Sequence, residues 1–354
     1  MAEPFGVYVH VPFCARRCDY CAFATWTDRH HLTDAYLSAL VTDIARLRSN
    51  GAMAPATSVF FGGGTPSMVP AEGLMEVLDA IELLPGAEVT VECNPDTITH
   101  DLLACYLDRG VNRISLGVQS MVPHVLASLG RTHDRANVAR AVELLHVVGF
   151  TTFNLDLIYG AAGESMADWE STLRATLELE PPHVSAYALT IEAGTPLATM
   201  SERHPDDDDQ ATKYELADEQ LGAAGLANYE ISNWAQAGHE CRHNLLYWSQ
   251  QDYVGVGCAA HSHRDGRRWW NVRTPDRYIA LVEADESVEA GFEQLDAPTR
   301  RFERLELALR MRGGVPAEAL AVEGLEGLVE ARGRRVVLTR SGRLVANELA
   351  LRLR

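Results

Sequence analysis

Short apolar, β-branched runs alternate along the chain with longer stretches whose apolar residues recur at three- and four-residue spacing. The first pattern predicts strands and the second predicts amphipathic helices. Strands are expected at Val7–His10, Ser58–Phe61, Val89–Glu92, Arg113–Leu116, Phe153–Leu157 and Val184–Leu189. Helices are expected at Asp34–Arg48, Ala71–Leu83, Asp101–Arg109, Ala136–Val148 and Met166–Leu179. Six β-then-α units in succession imply a parallel sheet with right-handed crossovers. Nearly every strand runs into a polar or glycine-rich turn, such as Gly62-Gly63-Gly64-Thr65-Pro66 or Gly117-Val118-Gln119-Ser120. In a βα barrel the C-terminal strand ends form the active face, so the chemistry is expected there.

The pattern changes after Glu192. Ser201–Gln210 is polar and acidic and is expected to be a loop leading into a helix at Ala211–Ala223. An aromatic-rich segment, Tyr229–Trp270, follows, with tight turns such as Gly255-Val256-Gly257. From Thr299 helices are expected at Arg301–Met311, Pro316–Val322 and Leu325–Ala331, then Arg335–Thr339 and a last helix after Ser341-Gly342. That order suggests a small helical, winged-helix-like domain. The chain thus divides into residues 1–195, 196–298 and 299–354.

Composition narrows the classes. With 354 residues, 47% of them hydrophobic and 23% charged, the chain can bury a core without disulfide or metal staples. A net charge of −18 disfavours nucleic acid and anionic membrane as partners. The charge is uneven, since twelve Arg face seven Glu from Thr299 onward. Alone, that segment would suggest a nucleic-acid module. The acidic remainder would repel a polyanion, so no nucleic-acid partner is expected, and the appendage can dock on the acidic barrel or on a partner protein. The single lysine, Lys213, lies beside the run Asp206–Asp209 and is expected to be solvated; a P-loop is absent. The N-terminal stretch lacks the basic and long apolar regions of a signal peptide. Seven cysteines, an odd number, then suit a reducing cytoplasm, as metal ligands or buried thiols.

Cys14, Cys18 and Cys21 form C-x3-C-x2-C just after the first expected strand. Soft thiolates on one short loop select zinc, copper(I) or an iron–sulfur cluster. A structural zinc would want a fourth ligand, for which His30 and His31 are at hand. A [4Fe–4S] cluster held by only three cysteines keeps one iron open for a ligand, the mark of a catalytic centre.

The run Tyr8-Val-His-Val-Pro-Phe-Cys14, with this motif, resembles the radical S-adenosylmethionine (SAM) enzymes. More narrowly, it is similar to the branch of oxygen-independent coproporphyrinogen III dehydrogenases and their heme-chaperone paralogues. The resemblance covers nearly the whole chain and includes Phe61-Gly-Gly-Gly-Thr-Pro66, Glu92-Cys-Asn-Pro95, Leu116-Gly-Val-Gln-Ser120, Leu129-Gly-Arg-Thr-His133 and Asn154-Leu-Asp-Leu-Ile-Tyr-Gly160. It implies an α/β fold, an incomplete (β/α)6 barrel holding a [4Fe–4S] cluster on Cys14, Cys18 and Cys21. SAM would chelate the open iron, and an electron from the cluster could cleave it to methionine and a 5′-deoxyadenosyl radical. By the same resemblance Tyr8 and Tyr20 flank SAM, and Gly64 and Thr65 form the turn that receives its amino end. Glu92, Gln119, Arg131 and Asp156 match polar SAM contacts, the arginine suiting a carboxylate.

Two features separate the branches. The dehydrogenases, which decarboxylate propionates in porphyrin biosynthesis, carry a further cysteine two positions after the third ligand; here that position is Phe23. The H-N-x-x-Y-W segment, His243, Asn244, Tyr247 and Trp248, resembles the chaperone branch. It suits a porphyrin, because imidazole is a common axial ligand and the aromatics offer flat faces. His261 is a second candidate heme ligand, and Cys93, Cys105, Cys241 and Cys258 are expected to be buried thiols, with Cys241 near enough to His243 for a role in heme attachment. The resemblance further implies a heme-acceptor protein, such as a membrane-associated respiratory protein, and an electron donor to the cluster.

Overall fold

The computed structural model describes residues 3–353. Six strands follow one another in parallel: β1 (Phe5–Val11), β2 (Ala56–Gly63), β3 (Leu83–Cys93), β4 (Arg113–Gln119), β5 (Phe153–Tyr159) and β6 (His183–Ala188). The crossovers carry α1 (Thr33–Ser49), α2 (Ala71–Asp79), α3 (His100–Asp108), the short α4 (Pro123–Ser128) with α5 (Arg135–Val148), and α6 (Met166–Leu177). The strands lie side by side in chain order, which is the parallel sheet that the alternation predicts and the partial (β/α)6 barrel that the resemblance implies.

Strand alternation sorts the residues onto two faces. Val7, Val9, Val59, Phe61, Val89, Val91, Ile114 and Leu116 point outward into one core with Tyr36, Leu40 and Ile44 of α1. The inner face is polar. Tyr8, Phe60, Thr90 and Arg113 pair across it in one row, and Glu92, Ser115, Asn154 and His183 in the next.

Both edges are extended. The helix α7 (Asp207–Ala223) leads to the antiparallel β7 (Ala227–Glu230) and β8 (Asn233–Ala235), which cover the free edge of β6. After α8 (Arg242–Trp248) the chain returns as β9 (Asp252–Val256), parallel to β1. It continues through β10 (His261–Arg264), β11 (Arg267–Asn271), α9 (Pro275–Glu283) and β12 (Glu289–Gln294), giving a sheet of twelve strands. The aromatic-rich segment thus contributes strands placed by pairing to β1 and β6.

The last part folds around its own core of Leu309, Val315, Leu320, Leu325, Val336 and Leu349. It comprises α10 (Ala297–Leu309), β13 (Val315–Pro316), β14 (Val329–Arg332), β15 (Arg335–Leu338), α11 (Arg340–Leu344) and α12 (Ala346–Ala350). The helices expected at Pro316–Val322 and Leu325–Ala331 do not form. The first is reduced to one turn at Ala317–Ala319, and Val329–Arg332 instead pairs with β15 across the two-residue turn Gly333-Arg334. Gly324 and Gly327 deny the intervening stretch a stable helix.

Three other expectations change. The helix expected at Ala71–Leu83 ends at Asp79, because Ala56 at the start of β2 donates to the carbonyl of Glu82 at 2.8 Å and draws that stretch into the sheet. The acidic run expected as a loop begins α7: Asp206 caps it by accepting from Asp209 N, and Asp207–Asp209 form the first turn, where the helix dipole favours negative charge. Lys213, expected in solvent, is wholly buried. Its ammonium donates to Asp209 Oδ2 at 2.6 Å and to the carbonyl of Glu164 at 2.8 Å, with Glu164 Oε2 at 3.3 Å. The acidic neighbours that suggested solvation are what compensates its burial.

Glu164 in turn accepts from Gly160 N at 2.7 Å, so this lysine ties α7 to the turn that leaves β5. Lys213→Met leaves the buried Glu164 without its cation. A loss of about 3–5 kcal/mol is expected, read as a lower midpoint in urea unfolding.

Candidate functional site

The three motif cysteines lie on the loop that leaves the C-terminal end of β1. All three are free and partly exposed. The loop is anchored at both ends: Trp26 N donates to Pro12 O and Cys14 N to Trp26 O, at 2.8 and 3.1 Å. His10 of β1 reaches under it, with Nε2 at 2.8 Å from the carbonyl of Ala24 and Nδ1 at 3.0 Å from Tyr8 Oη. Thr65 Oγ1 donates to Cys14 Sγ at 3.7 Å. Burial raises the Cys14 and Cys21 thiols above their ordinary range, each opposed by nearby donors. Among the described residues no three ligating side chains converge as a single-ion chelate would need. A cuboidal cluster asks for wider spacing, since each thiolate takes its own iron. Phe23, 63% exposed, stands where a further thiol would have to be.

Around this loop the strand ends bring together most of the residues singled out for SAM. Gly64 N donates to Val11 O and Thr65 N to Phe13 O, both at 2.8 Å. A Cβ on Gly64 would lie 2.6 Å from the carbonyl oxygen of Phe13, so only glycine admits this approach. Gly63, at φ 107°, turns its N–H to Glu92 Oε2 at 3.1 Å. Burial, then Asp156, pushes the Glu92 carboxyl up to about 8. Asp156 accepts from Ser115 Oγ at 2.9 Å and Asn154 Nδ2 at 2.8 Å, and burial raises its pKa too. Gln119, a non-glycine at φ 67°, holds a left-handed conformation at the end of β4. Its amide and the guanidinium of Arg131 meet beside Gly117. Arg131 donates to Gly117 O at 2.8 Å, yet its buried Nε has no hydrogen-bond partner among the described residues. Tyr20, its hydroxyl pKa raised by burial and by Cys18, packs beside Leu129. An orphaned guanidinium nitrogen, two half-buried carboxyls and a glycine cradle fit a ligand with a carboxylate end and a cationic centre.

The expected heme segment lies elsewhere. α8 closes the N-terminal end of the inner face, the floor of the barrel. Glu88 of β3 accepts from the backbone N–H of Arg242 and of His243, both at 3.0 Å. The His243 ring is wholly buried, with Nδ1 at 2.9 Å from Ser58 Oγ and Nε2 at 2.7 Å from Tyr247 Oη. It stacks on Phe60, and burial lowers its pKa to about 3. Both ring nitrogens are engaged inside the protein, so iron ligation by His243 would first have to break its bond to Ser58 or to Tyr247. Tyr247, half-buried, packs edge-on against Tyr253, and Asn244 and Trp248 complete the same half-buried turn of α8. Cys241 is also buried, its thiol 3.6 Å from Glu88 Oε1. Cys93 and Cys258 are buried as expected, whereas Cys105 is half-buried.

His261 is different. It is exposed, and its ring lies 5.9 Å from that of Trp270 at 30°. Its strand pairs with β9 at His263↔Tyr253, and β9 pairs with β1 at Tyr253↔Gly6 and Gly255↔Tyr8. Two residues before His263 on an antiparallel strand, His261 stands at the level of Tyr8 and toward the cysteine loop.

Sequence reasoning missed His10, Glu88, Arg113 and His183. A legible signal existed, since each is an ionisable residue in a strand otherwise apolar on alternate positions. His183 extends the Asp156 and Asn154 pair inward, with Nδ1 at 2.6 Å from Asn154 Oδ1 and Nε2 at 2.8 Å from Tyr229 Oη.

Comparison with known proteins agrees with this geometry. Residues 8–176 match the Radical SAM superfamily, the class that a partial parallel barrel with a three-cysteine loop after its first strand defines. The chain is 41% identical to the heme chaperone HemW of Mycobacterium tuberculosis, over 98% of its own length and 93% of that protein. HemW of Escherichia coli is 36% identical over 87% of this chain and 85% of its own, and HemW of Bacillus subtilis 31% over 97% of each. The chain belongs to this heme chaperone family within the radical SAM proteins. The structure of coproporphyrinogen III oxidase (HemN) from Escherichia coli superposes with a TM-score of 0.84 at 21% identity, covering 99% of this chain and 89% of that one, which shows a shared fold.

With His243 as part of the floor, His243→Ala opens a cavity and strands Ser58 and Tyr247. Unfolding should become easier by about 2–4 kcal/mol, measured by chemical denaturation.

Proposed function

We propose that the chain holds a [4Fe–4S] cluster on Cys14, Cys18 and Cys21, binds SAM at the barrel mouth, carries heme, and passes that heme to an acceptor protein. The observation that carries this reading is the anchored loop of three free, part-exposed thiols above two half-buried carboxyls, in a chain similar along almost its whole length to heme chaperones. The cluster, when bound, would supply an electron for reductive cleavage of SAM, with a separate donor protein refilling it. The chain's residues have distinct tasks. Gly64 and Thr65 present a turn to the amino end of SAM, and Arg131 offers its unpaired Nε to the carboxylate. Glu92 and Asp156 face the cationic and ribose parts, while Tyr8, Tyr20 and Gln119 wall the pocket.

Glu92 gives this reading a pH signature. Before SAM binds, its carboxyl, raised to about 8 by burial and Asp156, is protonated at neutral pH. A sulfonium cation is stabilised by the ionised form, so binding expels a proton. SAM affinity should rise by up to about tenfold per pH unit on approach to pH 8 and then level off. Calorimetry in buffers of different ionisation enthalpy measures that proton, and Glu92→Gln should abolish the dependence. A wild-type affinity flat across this range would remove Glu92 from the site.

For heme the reading favours His261 over His243. Partial burial lowers the pKa of His261, which keeps the imidazole neutral and able to ligate iron, and Trp270 gives it a flat neighbour. Anaerobic heme titration of cluster-reconstituted protein, followed in the Soret band, tests this. Saturable binding that weakens or shifts in His261→Ala, while folded His243→Ala keeps the wild-type spectrum, is the expected result. Binding indifferent to His261 would overturn the placement. Absence of specific binding, with anaerobic turnover of coproporphyrinogen III, would overturn the chaperone reading itself.

A further inference from the structure

The cluster and its barrel leave unused a second cavity, of about 310 Å³, far from the cysteine loop. It lies at the seam between the C-terminal part and the β7 edge of the large sheet, where Asn228 contributes to its wall. Five arginines line it, namely Arg310, Arg312, Arg332, Arg340 and Arg343, against one acid, Glu330. This is a concentration of positive charge in a chain of net charge −18.

Neighbouring carboxylates neutralise the arginines only in part. Asp218 of α7 serves two of them, accepting from Arg340 Nε at 2.7 Å and from Arg343 Nη2 at 2.8 Å on the same oxygen. Glu240 takes Arg312 at 3.0 Å and Glu330 takes Arg332 at 2.7 Å. Arg310 is directed to the carbonyl of Glu306 at 2.7 Å and to the neutral Asn347 at 2.6 Å, with the Glu306 carboxylate at 3.4 Å. Each guanidinium carries five N–H donors, so most remain uncommitted. One of them, Arg343 Nη1, is buried and has no hydrogen-bond partner among the described residues, its guanidinium lying over the ring of Tyr214. A buried, unpaired charged donor is costly, and several guanidiniums around one cavity repel each other. An oxyanion in the cavity would remove both penalties, because the guanidinium fork matches carboxylate and phosphate oxygens.

We propose that this cavity binds a small multivalent oxyanion, phosphate- or carboxylate-bearing, that clamps the C-terminal part to the end of the large sheet. Its walls come from α10, β14, β15 and α11 on one side and from β7 on the other, so an anion there ties the two together. The site is independent of the cluster, SAM and heme.

Calorimetric titration of the full chain with sodium pyrophosphate and with sodium citrate, against sodium chloride at matched ionic strength, tests it. One saturable site per chain for either probe is expected, with a higher melting temperature. The tighter probe identifies the class, phosphate or carboxylate. Arg332→Gln and Arg340→Gln, both on partly exposed side chains, should each weaken binding by about tenfold. Should Arg340→Gln fail to fold through loss of its contact with Asp218, Arg332→Gln alone decides, since among the described residues the acid partner of Arg332 is its own strand neighbour Glu330. Two outcomes would overturn the proposal: no saturable heat beyond the chloride control with either probe, or binding that Arg332→Gln leaves unchanged.

Discussion

The acceptance of two helix N–H groups by Glu88 is the contact on which the interior of this protein depends. A six-stranded partial barrel is open at its floor, and its inner face carries Arg113, Asn154, Asp156 and His183. Those groups keep their fixed geometry only if water does not enter from below. By holding the first N–H groups of α8, Glu88 stations His243 and Tyr247 across that opening. Free helix N-terminal donors want an acceptor, and a buried carboxylate wants donors, so each stabilises the other. Everything above the floor then sits in a low-dielectric space where individual charges weigh heavily.

At the other end the same space is tuned for a charged guest. Glu92 and Asp156 are two half-buried carboxyls, and Asp156 adds to the cost of ionising Glu92. Arg131 leaves a donor unspent beside them. Gly63 and Gly64 let the backbone come within reach, and His10 fixes the cysteine loop to β1 from beneath. The mouth is therefore preorganised in its backbone and unsatisfied in its charges, which is the condition of a site awaiting a ligand rather than of a packed core.

The chain separates its charge along its length, and the fold uses that separation. Arg340 and Arg343 of the C-terminal part meet at Asp218 on α7, and Arg343 lies over the ring of Tyr214 on the same helix. On its opposite side α7 sends Lys213 inward to Glu164. One helix thus links the turn after β5 to the last segment of the chain through ion pairs at very different depths. The buried pair is the more consequential, because removing either partner leaves a charge that water does not reach.

Much of this was legible in the residues. The six strands and most of their helices followed from apolar periodicity, since outward-facing valines and leucines can be buried only beneath crossovers. The cysteine spacing and the glycine turns at strand ends marked the mouth, because local backbone geometry and ligand chemistry are written in short runs. The roles of His243, Lys213 and the stretch from Pro316 to Ala331 were not legible in that way. For each, the outcome rests on a distant partner: Ser58 and Tyr247 on the two nitrogens of one imidazole, Glu164 beneath a lysine, and β15 beside a segment of weak helical preference. By itself the sequence determined the six βα units and where reactive side chains are strung along them. Only the tertiary structure decided which polar groups are spent on one another and which remain free for a ligand, because hydrogen bonding between residues far apart in the chain has no local signature.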